Sequence, residues 1–386
     1  MTSEAVFHIG ILRLTDAAPL IVAREGGYFA AENIEAVLSV EPSWANVADK
    51  LAYGLLDGAM LLPPLAMALE LGLSGGGGPE AIVVPAALSL NGNTVTLAER
   101  WATPVLGAGS APAIETARRF GALTRERGEK PVLAVVHSFS THNLLLRYWL
   151  AAGGIDPERD VTFTVVPPAE TVDALRARRI DGFCAGAPWG AVAARARLGR
   201  TVATSNAIWS NGTEKVFAVR RRIAEEQPAR MQAVLRAMLR AAAFCDAPTN
   251  AAAVAGLLAQ EHYLGLPADI IKTSLPGTAA ARMGADIPTF CANAANVPWP
   301  SHAKWFLSQM RRWGYLGADA DAQSAAAIFR PDLYADAAAA IGMPVPATPI
   351  KSEGRHESTW LLPASPRPIA MGPDTFIDGA VFDPAD

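Results

Sequence analysis

A strand–turn–helix pattern that occurs twice in the chain is the strongest guide to its fold. The first copy has a strand-like alternation at residues 7–12 and an apolar helical stretch at 20–24. The second has a short apolar strand at 132–136 and a helix at 143–152. In both copies the turn before the helix is rich in hydroxyl side chains, as is typical of helix N-caps. The repeat predicts two similar α/β units.

Each copy continues with a second strand, a helix and an Asp-Gly pair. The second strands are predicted at 36–40 and 161–166, and the Asp-Gly pairs are Asp57-Gly58 and Asp181-Gly182. Two units with the same order of elements indicate a duplicated α/β lobe. The alternative is chance similarity, since strand–helix–strand units and Asp-Gly turns are both common.

The pattern changes after the second copy. A strand is predicted at 214–220, and a helix follows whose apolar residues recur at helical spacing: Met231, Val234, Leu235, Met238 and Leu239. Helices continue to about residue 342, and a proline-rich tail follows. We expect residues 1–99 plus 213–386 to form lobe I and residues 100–212 to form lobe II. Two crossings between lobes predict a hinge with an interlobe cleft, where ligands commonly bind.

Composition excludes several classes of function. Hydrophobic residues make up 51% of the 386-residue chain, charged residues 18%, and the net charge is −4, which is typical of a globular protein without a basic surface for nucleic acid. No apolar run approaches the roughly 20 residues that a membrane span needs. The start of the chain lacks the pattern of an export signal, so we expect a cytoplasmic protein without membrane insertion. Cys184, Cys245 and Cys291 lack zinc or disulfide spacing.

Helix N-termini are the first candidates for binding chemistry, because their unpaired N–H groups attract anions. Such termini are predicted at 15–18 and 140–142, one in each lobe. The histidines show no metal-ligand spacing, and we expect neither a metal nor a cofactor. The glycine run at 75–78 lacks the Gly-Lys-Ser/Thr that follows in phosphate loops, and a flexible surface loop is expected there.

Three single residues have both a functional and a structural interpretation. His142 lies at a predicted helix start and could point into the cleft or be a buried structural histidine. Lys215 could compensate a bound anion or be a solvated lysine at a strand edge. Cys184, in an apolar context, is typical of a small core residue.

Several segments together resemble a known family, the nitrate- and bicarbonate-binding proteins of ABC transporters (NrtA/CmpA type). Within that family the chain is most similar to the leaderless cytoplasmic nitrate/nitrite sensors of the NasS type. The segments are LTDAAPLIVAREGGYFA (14–30), SWANV (43–47), THNLLLRYWLAAGGIDPERDV (141–161), VPP (166–168), DGFCAGAPW (181–189), EKVFAVR (214–220) and FIDGAVFDP (376–384). The resemblance implies a type II periplasmic-binding-protein-like α/β fold with an interlobe cleft and a double-crossover hinge.

The family's anion pocket, carried over by matching segments, is implied at Trp44, Asn93, His142, Gly186 and Lys215. Trp44 would form an apolar wall, and His142 and Asn93 would donate hydrogen bonds. Asn93 stands where nitrate binders often have a Gln. Gly186 would allow close backbone approach, and Lys215 would supply the compensating charge.

One departure from the family concerns a metal. Relatives commonly read Gly-Glu-Pro-Trp where this chain has Gly186-Ala187-Pro188-Trp189. The missing carboxylate weakens the case for a calcium ion, which needs oxygen ligands. A monovalent anion, nitrate or nitrite, is therefore expected.

The resemblance to NasS-type sensors also implies a partner, a NasT-like RNA-binding antiterminator of the ANTAR class that the ligand-free sensor would hold. We expect a nitrate/nitrite sensor that is not an enzyme. One alternative is the substrate-binding component of a nitrate/nitrite-type ABC transporter. A second is an enzyme on the same fold that uses Cys184 and His142.

Overall fold

The computed structural model describes residues 6–74, 81–107, 109, 111–278, 287–317 and 319–384, so the glycine run at 75–78 lies outside the described residues. The strands of its two main sheets are β1 (Phe7–Ile11), β2 (Ala36–Val40), β3 (Gly58–Leu61), β4 (Ile82–Leu90), β5 (Asn93–Ala98), β6 (Val132–Val135), β7 (Thr162–Val165), β8 (Gly182–Gly186), β9 (Gly199–Thr204) and β10 (Thr213–Arg220). Short tail strands follow: β11 (Val345–Pro346), β12 (Trp360–Leu362), β13 (Ala364–Ser365) and β14 (Ile369–Met371).

Helices cover both sheets and build most of the C-terminal half. They are α1 (Ala18–Glu25), α2 (Tyr28–Ala31), α3 (Trp44–Ala52), α4 (Pro63–Glu70), α5 (Glu99–Leu106), α6 (Ala113–Arg127), α7 (Thr141–Ala152), α8 (Thr171–Arg176), α9 (Trp189–Arg195), α10 (Ser205–Ile208), α11 (Arg221–Glu226), α12 (Pro228–Asp246), α13 (Ala251–Leu258), α14 (Ala268–Lys272), α15 (Pro300–Arg312), α16 (Ala322–Ala327) and α17 (Pro331–Ala340). Within the described residues no single helix could span a membrane. Among these residues, α12 and the segment 248–258 are together long and apolar enough, but the chain bends by 86° between them.

The two five-stranded sheets have the same topology, which confirms the predicted repeat. Their strand orders are β2-β1-β3-β10-β4 and β7-β6-β8-β5-β9. In each sheet the first three strands run parallel, and the fourth, β10 or β5, runs antiparallel to the strands on both sides of it. The parallel strands β1, β2 and β3 thus correspond to β6, β7 and β8. The antiparallel strand of each sheet, β10 or β5, is the one that enters from the other half of the chain.

The first crossing between lobes precedes β5, which corrects the expected boundary at residue 99. Asn91 and Gly92 form the link, and both have positive φ (56° and 91°). An Asn-Gly link of this kind usually joins neighbouring strands of one sheet, whereas here it joins strands of two sheets. At Gly92 a β-carbon would also lie 2.6 Å from Pro288, so a larger residue would clash. The Asn91 N–H donates to the Gly212 carbonyl (3.0 Å), which connects this crossing to the returning one.

The C-terminal tail is attached to the start of β10 through a buried polar network. The ring of His302, on α15, is 2.6 Å from the Thr213 hydroxyl at Nδ1 and 2.8 Å from the Glu353 carboxylate at Nε2. Lys351 also pairs with Glu353. Glu353 and His302 are fully buried. Through His302, the tail residue Glu353 is thus connected to Thr213 at the start of β10, more than 130 positions earlier in the chain.

Candidate functional site at the interlobe surface

Lys215 is a fully buried ammonium in β10, and a buried charge requires partners. Its Nζ lies 2.7 Å from Oε1 of Glu214 and 3.8 Å from Oδ2 of Asp16. Both carboxyl groups are buried as well. The alternative of a solvated lysine at a strand edge is therefore wrong, and Lys215 does not act as an isolated charge.

A β-bulge in β10 allows Glu214 and Lys215 to meet. Thr213 pairs with Leu90 and Lys215 with Ser89, so that Glu214 is an extra residue with no partner position in β4. Consecutive side chains of a regular strand point to opposite faces, and a bulge changes this alternation. The bulge explains why Glu214 and Lys215, which are adjacent in sequence, can form an ion pair with each other.

Asp16 approaches from the first lobe. It lies in the 3-10 turn Thr15–Ala17 before α1. No side chain caps that helix, although the hydroxyl-rich turn predicted a cap there. Oδ1 of Asp16 instead accepts a hydrogen bond from the Ser89 hydroxyl (2.6 Å). Oδ2 makes no hydrogen bond within the described part of the chain. Asp16 therefore occupies a position that suits a helix N-cap, but its carboxyl lies beside Lys215 instead of capping α1.

His142 approaches from the second lobe, in the first turn of α7. Ser140 caps this helix, since its hydroxyl accepts a hydrogen bond from the Asn143 N–H (3.0 Å). Nε2 of His142 lies 3.6 Å from Oε1 of Glu214. Burial, together with the charge of Lys215, holds the pKa of His142 well below its usual range, so the imidazole is neutral. A neutral imidazole offers one donor and one acceptor.

Asn93 and Gly186 form a cross-strand pair at one end of β5 and β8. The Asn93 N–H donates to the Ser205 hydroxyl (3.0 Å). A β-carbon added to Gly186 would lie 3.2 Å from Oδ2 of Asp16 and 3.4 Å from Oδ1 of Asn93. Gly186 therefore keeps a narrow space open between residues of the two lobes.

Trp44 completes the group. It is the first residue of α3, whose N-cap is Ser43, and it is fully buried. The centroid of its ring lies 5.7 Å from Nζ of Lys215, within the range of a cation–π contact. We name these residues the Lys215 cluster: Asp16, Trp44, Asn93, His142, Gly186, Glu214 and Lys215.

Sequence reasoning missed two members of the Lys215 cluster, Asp16 and Glu214. Both lie inside the segments that carry the family resemblance, LTDAAPL and EKVFAVR, and Glu214 is the direct neighbour of Lys215. The five residues expected from the resemblance all lie in the cluster. Their role in binding stays a prediction.

Several buried polar atoms of the cluster have no hydrogen-bond partner among the described residues. They are Oδ2 of Asp16, Nε1 of Trp44, Nδ2 and Oδ1 of Asn93 and both ring nitrogens of His142, with Oγ1 of the adjacent Thr141. Buried polar atoms normally have partners, and isolated examples are rare. A concentration of both donors and acceptors around an ammonium is suited to a small polar anion. It also argues against His142 as a purely structural residue, which would have its ring nitrogens bonded.

The electrostatics of the cluster centre on Glu214. Burial raises the pKa of its carboxyl to about 7. The charge of Lys215 opposes this effect, the charge of Asp16 reinforces it, and the nearby amide of Asn93 opposes it more weakly. At neutral pH the group therefore exists in both protonation states, and in its neutral form it is a hydrogen-bond donor.

Hydrogen bonds between the lobes close over the cluster. The Thr15 N–H donates to the Ala187 carbonyl (2.8 Å), and the indole N–H of Trp189 donates to the Arg13 carbonyl (3.0 Å). An open cavity of about 590 Å³ lies elsewhere, beside the hinge, and is lined in part by Asn206 and Pro288. In the described ranges, no group of three or more His, Cys, Asp or Glu side chains is placed to hold a metal ion.

Residues 3–259 of the chain match the NMT1-like family. The chain is 34% identical over 98% of its length to the nitrate import ATP-binding protein NrtC of Synechocystis sp., of which it spans 53%. It is 30% identical over 97% of its length to the nitrate/nitrite binding protein NrtA of the same organism, of which it spans 82%. The chain thus covers about half of one curated relative and most of the other.

The crystal structure of the periplasmic nitrate-binding protein NrtA from Synechocystis covers 99% of this chain and 96% of its own, with a TM-score of 0.82 and 27% identity. The aliphatic sulphonate binding protein SsuA of Escherichia coli shares the fold at a TM-score of 0.59 and 16% identity. These matches confirm the expected binding-protein fold and the resemblance to NrtA-type proteins. The chain belongs to the NMT1-like family and is a homologue of the NrtA nitrate-binding proteins.

Proposed function

We propose that the chain binds a small singly charged oxyanion, nitrate or nitrite, between its two lobes. The observation that carries this proposal is the group of unpaired buried donors around the Lys215 ammonium. The names of the NrtA relatives, which are nitrate or nitrite binders, support the choice of ligand.

The five residues expected from the resemblance each have a role in this binding. Lys215 compensates the charge of the anion, and the side chains of His142, Asn93 and Trp44 donate hydrogen bonds to its oxygens. The Trp44 ring limits the space on one side of a flat ligand, and Gly186 keeps it open on another. Closure of the lobes removes water, which strengthens these polar contacts.

The biological role depends on which partner protein recognises the anion-bound or the anion-free chain. Delivery to a membrane permease is supported by two kinds of relative that are named as nitrate import and bicarbonate transport proteins. A cytoplasmic sensor that releases a NasT-like ANTAR antiterminator when it binds the anion is supported by the segments given above for NasS-type proteins. Binding accounts for the site in both roles, whereas catalysis by Cys184 and His142 has no support from the relatives' names.

Titration calorimetry with nitrate and nitrite tests the binding proposal. Lys215→Ala should weaken binding by more than about tenfold, because the remaining carboxylates would then face the anion without a cation. Lys50→Ala is the matched control, since Lys50 pairs with Glu41 at the surface of α3. Equal affinities in wild type and Lys215→Ala, with both proteins folded by circular dichroism, would reject the proposal.

A pull-down distinguishes the two roles. The purified chain is immobilised with and without nitrate and exposed to an ANTAR-class antiterminator from the same genome. The sensor role requires capture without nitrate and release with it. Absence of capture under both conditions would leave delivery to a permease as the role.

A further inference from the structure

Three titratable or charged groups among the described residues surround the Glu214 carboxyl. Lys215, its neighbour on β10, and His142 on α7 lie beside it. Asp16, in the turn before α1, lies 3.8 Å from the Lys215 ammonium and acts on Glu214 through its charge. His142 is neutral. If both carboxyls are ionised, two negative charges and one positive charge give the cluster a net charge of −1.

Adding a singly charged anion to that state would bring the net charge to −2 in a fully buried space. Excess buried charge is strongly unfavourable, and a group that can change protonation does so instead. One proton would remove one of the two excess charges. It would also convert an acceptor that repels the anion into a donor that binds it.

Glu214 is better placed than its neighbours to carry this proton. Asp16 already accepts a hydrogen bond from the Ser89 hydroxyl, and its carboxyl lies next to Lys215. Burial and the charge of Lys215 both disfavour the protonated, positively charged form of His142. Burial raises the pKa of Glu214 to about 7, so that protonation at neutral pH costs little.

We propose that Glu214 is a further ligand-binding residue that acts as a neutral carboxylic acid, donates its proton to an oxygen of the anion, and so takes up one proton with each anion bound. The step balances as carboxylate plus proton plus anion giving a hydrogen-bonded acid–anion pair, with no covalent bond to the ligand. This inference rests on the proposed function and extends that function by naming the proton as a second ligand of the same site.

The inference also limits the class of anion. An anion of a strong acid, such as nitrate, accepts the hydrogen bond without removing the proton from Glu214. A doubly charged anion such as sulfate would need a second proton from a cluster that has no further group suited to hold it. Selection for singly charged, weakly basic oxyanions follows.

Calorimetry in pairs of buffers with different ionisation enthalpies measures the protons taken up on binding, with nitrate as the probe. Uptake by the wild type should rise from near zero at low pH to about one well above pH 7, the value at which Glu214 titrates. Over the same range the affinity should fall by up to about tenfold per pH unit.

Glu214→Gln keeps a donor but has no titratable proton, so its affinity should not depend on pH above 6 and its uptake should be zero. Glu41→Gln replaces another buried, Lys-paired glutamate that is not a member of the Lys215 cluster, and its proton uptake should equal that of the wild type.

The outcomes separate this inference from the proposed function. Nitrate binding by the wild type without proton uptake would overturn the role of Glu214 and leave the proposed function intact, and this measurement needs no variant. Proton uptake that persists in Glu214→Gln would assign the proton to another group, and the role of Glu214 would again be overturned. No binding of nitrate or nitrite at any pH would overturn the proposed function and this inference together.

Discussion

Glu214 affects the stability of the folded chain through the same titration. Its pKa is about 7 in the folded state against 4.5 for an exposed glutamate, so the folded state holds more protons between these values. The free energy of unfolding should therefore decrease as the pH rises from about 4.5 to about 7, and this contribution should be constant above that. Urea unfolding at several pH values, without ligand, measures the slope.

Glu214→Gln should lack this part of the decrease, because glutamine does not titrate. The other buried groups remain in the variant, so the difference between the two curves isolates Glu214. Parallel curves for wild type and variant would show that the Glu214 carboxyl is not held in its neutral form.

At single positions, the sequence was a good guide where a side chain acts within a recognisable segment. Trp44, His142, Gly186 and Lys215 were named from such segments, and Asn93 from the position where nitrate binders often have a Gln. All five lie together, and their role in binding stays a prediction. Asp16 and Glu214 were not named, for physical reasons. Asp16 suits a helix cap, which is its commoner use. Glu214 joins Lys215 only because of a bulge, and bulges leave no clear pattern in a single sequence.

At the level of elements, the repeat correctly indicated β1 and β2 and their counterparts β6 and β7, and its Asp-Gly pairs mark the starts of β3 and β8. The helical spacing from Met231 to Leu239 likewise indicated α12, where these residues are buried. The assignment of β5 to the first lobe was wrong, because local residue pattern does not specify which sheet a strand joins. Strands β5 and β10 exchange between lobes, and both bring cluster residues to the interlobe surface near their starts.

The tail network predicts a large effect of a single substitution. Glu353→Ala would leave Lys351 and His302 buried without their acceptor. Removal of one partner from a buried ionic network typically costs about 3–5 kcal/mol of unfolding free energy, and urea unfolding should show a loss of this size.

Arg355→Ala is the control within the same tail. Arg355 pairs with Asp383, but about half of its side chain is exposed (53%), and exposed pairs contribute less than about 1 kcal/mol. Similar losses in both variants would mean that the tail network adds nothing specific to the fold.

For the whole molecule, lobe closure and anion affinity should be coupled. Trp189→Phe removes the interlobe hydrogen bond to Arg13. A hydrogen bond contributes roughly 1 kcal/mol, so weaker closure should reduce anion affinity by about fivefold in calorimetry. Small-angle scattering should show a wild type that becomes more compact with nitrate and a variant that needs more nitrate for the same change.

Trp360→Phe tests whether that effect is specific. The Trp360 indole also donates to a carbonyl, that of Gly372 (3.1 Å), but both residues belong to the tail. Affinity should therefore be unchanged in this variant. An equal loss of affinity in both tryptophan variants would contradict coupling through the lobes.

The full burial of Lys215, His142 and Trp44 has a kinetic consequence. While the lobes are together, the described residues leave none of the Lys215 ammonium exposed to solvent, so we expect a captured ion to depart when the lobes separate. Its residence time is then governed by the frequency of that opening and not by the breaking of any one contact. Residues at the lobe surfaces that never contact the ion thus control how long it stays bound.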